Sequence, residues 1–236
     1  MQLSKLESNA YDVIKKSDLR VFRVNDLMLL LGIDKIKTYN LIKALKKKRV
    51  IIGLGKRKFS LREANEFEIA SELNFPSYIS FWSALNYYGF SDNTPKKIFI
   101  ATTKYSKDIK NFKYVTLSKK RFFGYTSIGR ITIAEKEKAI IDSLLFPKYS
   151  GGIKEIKKSI AVAKREIDIQ KIIDYALRVE SKLVLRRLGY LLDCLGIKGK
   201  GLKKLEKNIG KGFGFLDPSL ERKNNLNKKW LLDINI

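Results

Sequence analysis

The spacing of apolar residues changes abruptly within residues 34–61, and this change restricts the folds open to the chain. The first half of the segment has the i, i+3, i+4, i+7 spacing of one buried helix face, in the order Thr38, Leu41, Ile42 and Leu45. Asp34 stands before this helix as a candidate N-cap. Residues 50–53 and 58–61 then read as two short strands around a loop that contains Gly55. The segment therefore predicts a helix followed by a β-hairpin.

Two more helices are predicted upstream of this segment. The first covers residues 4–17, with Ser4 as its N-cap, and the second runs from a cap at Asn25 to a stop at Gly32. Two short helices joined by a glycine-containing turn match the helix-turn-helix unit, whose second helix enters the major groove. Because a hairpin follows, we predict a winged helix-turn-helix DNA-binding domain over residues 1–62.

The charge of the chain favours the same interpretation. Lys and Arg total 49 against 24 Asp and Glu, which gives a formal net charge of +25. Residues 34–58 contain ten basic residues and one acid, so the excess lies where a helix and a wing would meet duplex phosphates. The candidate nucleic-acid-binding residues are Lys35, Lys37, Tyr39, Asn40, Lys43, Lys47, Lys56, Arg57 and Lys58.

These candidates divide into two expected roles. Four of them are expected to reach base edges or phosphates, namely Lys37, Tyr39, Asn40 and Lys43. Four more are expected to follow the phosphate backbone, namely Lys47, Lys56, Arg57 and Lys58. The alternative interpretation is a solvated basic helix beside an ordinary hairpin, or a winged helix that binds another protein.

Composition excludes several classes of site. The chain has no His and one Cys, which removes imidazole-dependent catalysis, His-ligated zinc, cysteine-cluster metal sites and disulfides within the chain. Apolar residues make up 44% of the chain, enough for a folded core, but no apolar run approaches the length of a membrane span. We expect a soluble, cytoplasmic protein without a membrane partner or a cofactor.

The rest of the chain predicts an α+β fold. Residues 63–76 read as a connecting helix that ends near Pro76, and residues 77–236 as a second domain. That domain begins with a helix over 80–88, followed by strands over 97–102, 113–117, 123–126 and 130–133. Its latter half is predicted to be helical, over 134–145, 153–165, 168–180, 182–195 and 201–209.

Ten short segments of this second domain follow one another in a distinctive order. They are SYIS at 77–80, SAL at 83–85, YGF at 88–90, IFIATTK at 98–104, IA at 133–134, EKAIID at 137–142, GG at 151–152, RRLGYLL at 186–192, LDP at 216–218 and residues 230–235. No single segment is specific, but their order is, and together they resemble the AbiEi antitoxin family of abortive-infection toxin–antitoxin pairs.

The resemblance implies an N-terminal winged helix that represses its own operon by binding inverted repeats. It also implies a C-terminal domain that neutralises a nucleotidyltransferase-like toxin without forming a stable complex with it. The main alternative is an RNA-binding or toxin-sequestering interaction protein that does not recognise an operator.

Other signals carry less weight. Glu135, Glu137 and Lys138 provide carboxylates and a lysine of the kind that metal-dependent nucleases use, with Asp108 as the nearest upstream acid. A helix start explains the two glutamates as well, and we expect no catalysis. Arg186 and Arg187 are candidates for a functional role or for surface ion pairs, while aromatic pairs such as 87–88 and 122–123 are expected in the core rather than stacked on bases. We expect Cys194 to be buried.

Overall fold

Two hydrophobic clusters organise the computed structural model, which describes residues 2–198 and 201–236. Met1, Gly199 and Lys200, which belong to the predicted ranges 1–62 and 77–236, lie outside the described residues. The smaller cluster is built from residues 10–61 and the larger from residues 54–232. The architecture is mixed α+β, as predicted.

The smaller cluster is enclosed by three helices and a three-stranded sheet. The helices are α1 (Lys5–Lys16), α2 (Val24–Leu31) and α3 (Lys35–Lys47), and the strands are β1 (Phe22–Arg23), β2 (Ile51–Gly53) and β3 (Lys58–Leu61). The sheet is antiparallel with the order β1-β3-β2. Leu27 of α2 and Leu45 of α3 are fully buried beneath it.

The caps of these helices explain where they begin. Ser4 caps α1 in a reciprocal capping box with Glu7, and Asp34 caps α3, both as predicted. The prediction that Asn25 caps α2 is wrong, because α2 begins at Val24. Arg23 occupies the cap position, and its N–H donates to Asp26 Oδ2 over 2.7 Å. Pairing of β1 with β3 keeps Arg23 extended, so the helix starts directly after the strand.

In the described part of the chain, seven α-helices and a six-stranded sheet enclose the larger cluster. The helices are α4 (Glu66–Leu73), α5 (Phe81–Tyr87), α6 (Lys136–Leu145), α7 (Gly152–Ala163), α8 (Ile169–Arg178), α9 (Lys182–Cys194) and α10 (Leu202–Asn208). The strands are β4 (Ser77–Ile79), β5 (Ile98–Thr102), β6 (Lys107–Ile109), β7 (Phe112–Thr116), β8 (Tyr125–Ile128) and β9 (Ile131–Ala134). Their order is β6-β7-β5-β4-β9-β8.

Strand β4 lies inside this sheet and was not predicted. It pairs antiparallel with β5 and parallel with β9, and all three of its residues are buried. The segment 63–76 contains α4, and the buried residues Ile69, Ala70 and Leu73 of that helix lie in the larger cluster. Helix α4 therefore stands between the smaller cluster and the sheet.

The C-terminal end of the chain departs from the predicted helical half. Three two-residue strands, β10 (Gly214–Phe215), β11 (Leu226–Asn227) and β12 (Leu232–Asp233), form a small sheet with the order β10-β12-β11. The fully buried ring of Trp230 packs against Gly189 of α9 next to this sheet. Glycine at this position lets the indole approach the helix backbone closely.

Several polar side chains are buried in the second region, which is the part of the chain that follows residue 62 and contains most of the larger cluster. Arg186 and Arg187 are buried and so are not surface residues. Among the described residues, both donate only to backbone carbonyl groups, including those of Ile209 and Leu216. Cys194 is exposed, contrary to expectation. It lies one helical turn after the half-exposed Tyr190, on the solvent side of α9.

Within residues 2–198 and 201–236, every helix falls short of the length and apolar content that crossing a bilayer requires.

Candidate nucleic-acid interface

Helix α3 has one buried and one exposed face. The buried face consists of the four residues that the spacing predicts, Thr38, Leu41, Ile42 and Leu45. The opposite face is exposed and carries six of the candidate binding residues, Lys35, Lys37, Tyr39, Asn40, Lys43 and Lys47. Packing of the buried face fixes the helix, so the exposed side chains form one accessible basic surface.

The N-terminal turn of α3 shows how Lys37 differs from its neighbours. Asp34 accepts the Lys37 backbone N–H over 2.9 Å, and its other oxygen lies 3.5 Å from the Lys37 ammonium group. The backbone hydrogen bond is the main reason that the pKa of Asp34 is lowered from its ordinary value. The ammonium of Lys37 therefore already has a carboxylate beside it.

The hairpin loop 54–57 presents two cations at its tip. Leu54 donates to the carbonyl of Lys58 over 2.8 Å, and Lys58 donates back to the carbonyl of Gly55 over 2.9 Å, which closes the loop. Gly55, Lys56 and Arg57 all have positive φ angles, a conformation that is uncommon for residues other than glycine. Lys56 and Arg57 are both exposed. The loop thus places an ammonium and a guanidinium group side by side in solvent.

Lys58 lies in a different environment from these two. Its side chain is half-buried, and its ammonium donates to the carbonyl of Leu73 at the end of α4 over 2.6 Å. Burial lowers the pKa of Lys58, and the nearby charges of Arg23, Lys104 and Lys56 lower it further. Lys58 therefore points towards the second region rather than away from the hairpin.

A basic cleft of about 1170 Å³ opens where the hairpin faces the second region. Five of the candidate binding residues line it, namely Lys35, Tyr39, Lys56, Arg57 and Lys58. The remaining four, Lys37, Asn40, Lys43 and Lys47, lie on α3 outside its lining. Within the described part of the chain, no acidic side chain lines the cleft.

Three cations of the cleft were not singled out from the sequence. Arg23 lies at the junction of β1 and α2, Lys104 lies between β5 and β6, and Lys107 begins β6. Tyr105, whose side chain is 92% exposed, accompanies them. Only the long-range pairing of the large sheet brings residues 104–107 next to the hairpin, so local sequence patterns contain no signal for it.

Ion pairs and hydrogen bonds join the two regions beside the cleft. Arg20 pairs with Glu68 of α4, and Asp18 pairs with Arg130. The backbone N–H of Val21 donates to Glu72 of α4 over 3.2 Å. These contacts join the smaller cluster to α4 and to the turn between β8 and β9.

The residues considered for a nuclease site form other contacts in the structure. Glu137 is buried and accepts the backbone N–H of Asp168 over 3.0 Å, while Lys138 is fully buried against Asp142. Asp108 binds two lysines on its own side of the sheet. Among the described residues, no three His, Cys, Asp or Glu side chains come close enough together to hold a metal ion.

No family model matches the chain, and no curated protein matches it. A solved structure, the crystal structure of the RV2827C protein from Mycobacterium tuberculosis, has a similar fold, with a TM-score of 0.70 and 14% sequence identity. The match covers 98% of this chain and 92% of that one. The similarity therefore extends over both regions, and at this identity it concerns the fold alone.

Proposed function

We propose that this protein is a sequence-specific, duplex-DNA-binding transcriptional regulator. In this proposal the first 62 residues form a winged helix-turn-helix, α3 is the helix that enters the major groove, and the hairpin loop 54–57 is the wing. The observation that carries the proposal is the division of α3, which buries its four apolar-face residues and leaves Asn40 and its lysines in solvent. A recognition helix needs such a free polar face.

The two groups of candidate residues have different proposed roles. On α3, Asn40 has the amide needed for bidentate pairing with adenine, and Lys43, one turn further on, can reach a base edge or a phosphate. On the wing, Lys56 and Arg57 would contact the phosphate backbone, which carries no sequence information directly. Substitutions on the helix should therefore change specificity, and substitutions on the wing should change general affinity.

The test compares these groups in the full-length chain. Fluorescence anisotropy is measured on a duplex from the region upstream of the protein's own gene and on a shuffled duplex of equal length. Asn40→Ala is expected to weaken binding to the specific duplex by about 1–3 kcal/mol and to leave the shuffled duplex almost unchanged. The control is a double variant that carries Lys154→Gln and Lys158→Gln, at two exposed positions of α7.

Equal loss on both duplexes in the Asn40→Ala variant would contradict the assignment of α3 to the groove. Tighter binding of a single-stranded RNA than of either duplex would instead favour the RNA-binding alternative.

We also propose that this regulator is the autoregulating antitoxin of a toxin–antitoxin pair whose toxin is nucleotidyltransferase-like. The ordered segments between residues 77 and 235 that resemble the AbiEi family support this part of the proposal. Co-expression with the product of the neighbouring gene should restore the growth that this product inhibits. Co-purification of the two proteins as a stable complex would favour a sequestering mechanism instead.

A further inference from the structure

Three polar side chains lie together at the inner end of the basic cleft, where β3, the end of α4 and β6 meet. The ammonium of Lys58 donates to the carbonyl of Leu73 over 2.6 Å, and the ammonium of Lys107 donates to Oδ1 of Asn74, also over 2.6 Å. All three side chains line the cleft. Lys58, Asn74 and Lys107 form the inner cluster.

The inner cluster has an excess of positive charge that the protein does not neutralise. Burial lowers the pKa of Lys107, and the charges of Lys56, Lys58 and Lys104 lower it further. Burial and the repulsion of nearby cations lower the pKa of Lys58 in the same way. Among the described residues the two ammonium groups donate to a carbonyl and to an amide oxygen, and that of Lys107 also lies 5.6 Å from the centre of the Tyr114 ring. No carboxylate of the described chain forms an ion pair with either of them, so their repulsion is not offset. An anion between them would reduce this repulsion.

Asn74 provides an independent sign that a ligand belongs here. Its side chain is 6% exposed, and its Nδ2 has no hydrogen-bond partner within the described chain. The bond from Lys107 to Oδ1 fixes the orientation of the amide, so Nδ2 cannot exchange places with the oxygen. A buried donor without an acceptor is unfavourable, and where the protein offers no acceptor such a donor is satisfied by an ordered water molecule or a bound ion.

We propose that the inner cluster binds a phosphoryl group, with Lys58 and Lys107 providing charge and Asn74 providing a neutral donor. The cleft is far larger than one phosphate, and the exposed Tyr39 and Tyr105 on its walls could stack on a base. The phosphate therefore comes either from a nucleic-acid backbone or from a free nucleotide or polyphosphate. The backbone source rests on the function proposed above, whereas the free source does not.

The decisive variant is Asn74→Asp, which keeps the size of the side chain but replaces the free donor with a carboxylate oxygen. The new carboxylate would pair with Lys107, so the fold should be retained while the site becomes repulsive to anions. Isothermal titration calorimetry with tripolyphosphate on the full chain at low salt measures the effect. We expect binding to weaken roughly tenfold or more. Asn9→Asp, exposed on α1, makes the same charge change elsewhere.

A second pair of variants keeps the test decisive if Asn74→Asp does not fold. Lys107→Gln should weaken tripolyphosphate binding, and Lys107→Arg should largely restore it, because the guanidinium also provides charge and donors. Equal binding by the parent chain and the inner-cluster variants would overturn the proposal. An equal loss in Asn9→Asp would overturn it too, since it would show that only the overall charge matters.

Measurements on duplex DNA then distinguish the two sources. If Asn74→Asp weakens both ligands and tripolyphosphate displaces the duplex, the inner cluster binds a backbone phosphate. If only tripolyphosphate binding is lost, the site takes a free phosphorylated ligand. Failure of the proposed function would appear differently, as a duplex affinity that does not respond to Asn40→Ala while the Asn74→Asp effect on tripolyphosphate persists.

Discussion

Salt dependence of DNA binding is the property that the arrangement of cations predicts most directly. Five of the candidate cations have no hydrogen bond or ion pair to another side chain in the described part of the chain: Lys35, Lys43, Lys47, Lys56 and Arg57. Lys37 and Lys58 differ, because the first lies beside Asp34 and the second binds the carbonyl of Leu73. The five free cations can each neutralise a phosphate without losing a partner in the protein.

Their number sets the expected magnitude. Each phosphate that is neutralised contributes about −0.9 to the slope of log affinity against log salt, so five contacts give a slope of about −4.5. Replacing Lys56 and Arg57 by Gln should remove two contacts and reduce the slope to about −2.7. The loss of affinity should be nearly the same for a specific and for a shuffled duplex, because backbone contacts do not read sequence.

The assay is fluorescence anisotropy of the full-length chain on both duplexes over a series of salt concentrations. Lys154→Gln with Lys158→Gln removes the same charge from α7 and should leave the slope unchanged. The reasoning fails if the hairpin variant keeps the parent slope, or if the α7 control lowers the slope by the same amount. In either case the cations of the hairpin loop would not contact the duplex.

Three further predictions concern the rest of the fold. Asp142→Ala should lower the free energy of unfolding by about 3–5 kcal/mol in urea titrations, since it leaves the buried ammonium of Lys138 unpaired. Lys138→Met should lower the free energy of unfolding by less, because the Asp142 carboxylate keeps two hydroxyl donors. An equal or larger loss of stability in Lys138→Met would contradict this account. Gly189→Ala should destabilise the chain by about 3 kcal/mol or more, because a Cβ would overlap the ring of Trp230. Thermal unfolding measures the loss of stability, and an unchanged midpoint would refute the prediction. The pKa of Lys107 is lower in the folded chain than its ordinary value of 10.5, so the unfolded chain binds the ammonium proton of Lys107 more tightly. The free energy of unfolding should therefore rise as the pH approaches 10.5, and Lys107→Gln should reduce that rise.

Local patterns were sufficient to predict the helix that carries most of the candidate interface. The buried face of α3 and its Asp34 cap depend on residues within four positions of one another, so the sequence determines them without knowledge of the rest of the chain. The hairpin was predictable for the same reason, because Gly55 lies between two short apolar runs. The exposed positions of Lys43 and Lys47 follow from the same helical period.

The environment of Lys58 does not follow from its own strand. Side chains alternate along a strand, so the order Lys58, Phe59, Ser60 and Leu61 predicts a polar, solvent-facing side that carries Lys58 and Ser60. In the structure Ser60 is fully buried and Lys58 extends towards Leu73, because α4 packs beside the hairpin.

Other features depend on contacts between distant parts of the chain. Strand β1 has two residues and β4 has three, which is too short for an alternating pattern to be visible. The approach of Lys107 to Lys58 depends on the strand order of the large sheet, and no pattern within either segment encodes it. The burial of Arg187 likewise depends on carbonyl groups from Leu144, Phe215 and Leu216.

The contacts that hold the smaller cluster against α4 have a consequence for how the protein meets a ligand. Arg20 and Val21 contact α4 and Asp18 pairs with Arg130 after β8, so the folded chain already orients the N-terminal region in the absence of a ligand. A module on a free tether would have to lose that orientational freedom on each encounter, at a cost in association free energy. Here both walls of the cleft are already in place, so a polyanion encounters them as a single pre-organised receptor.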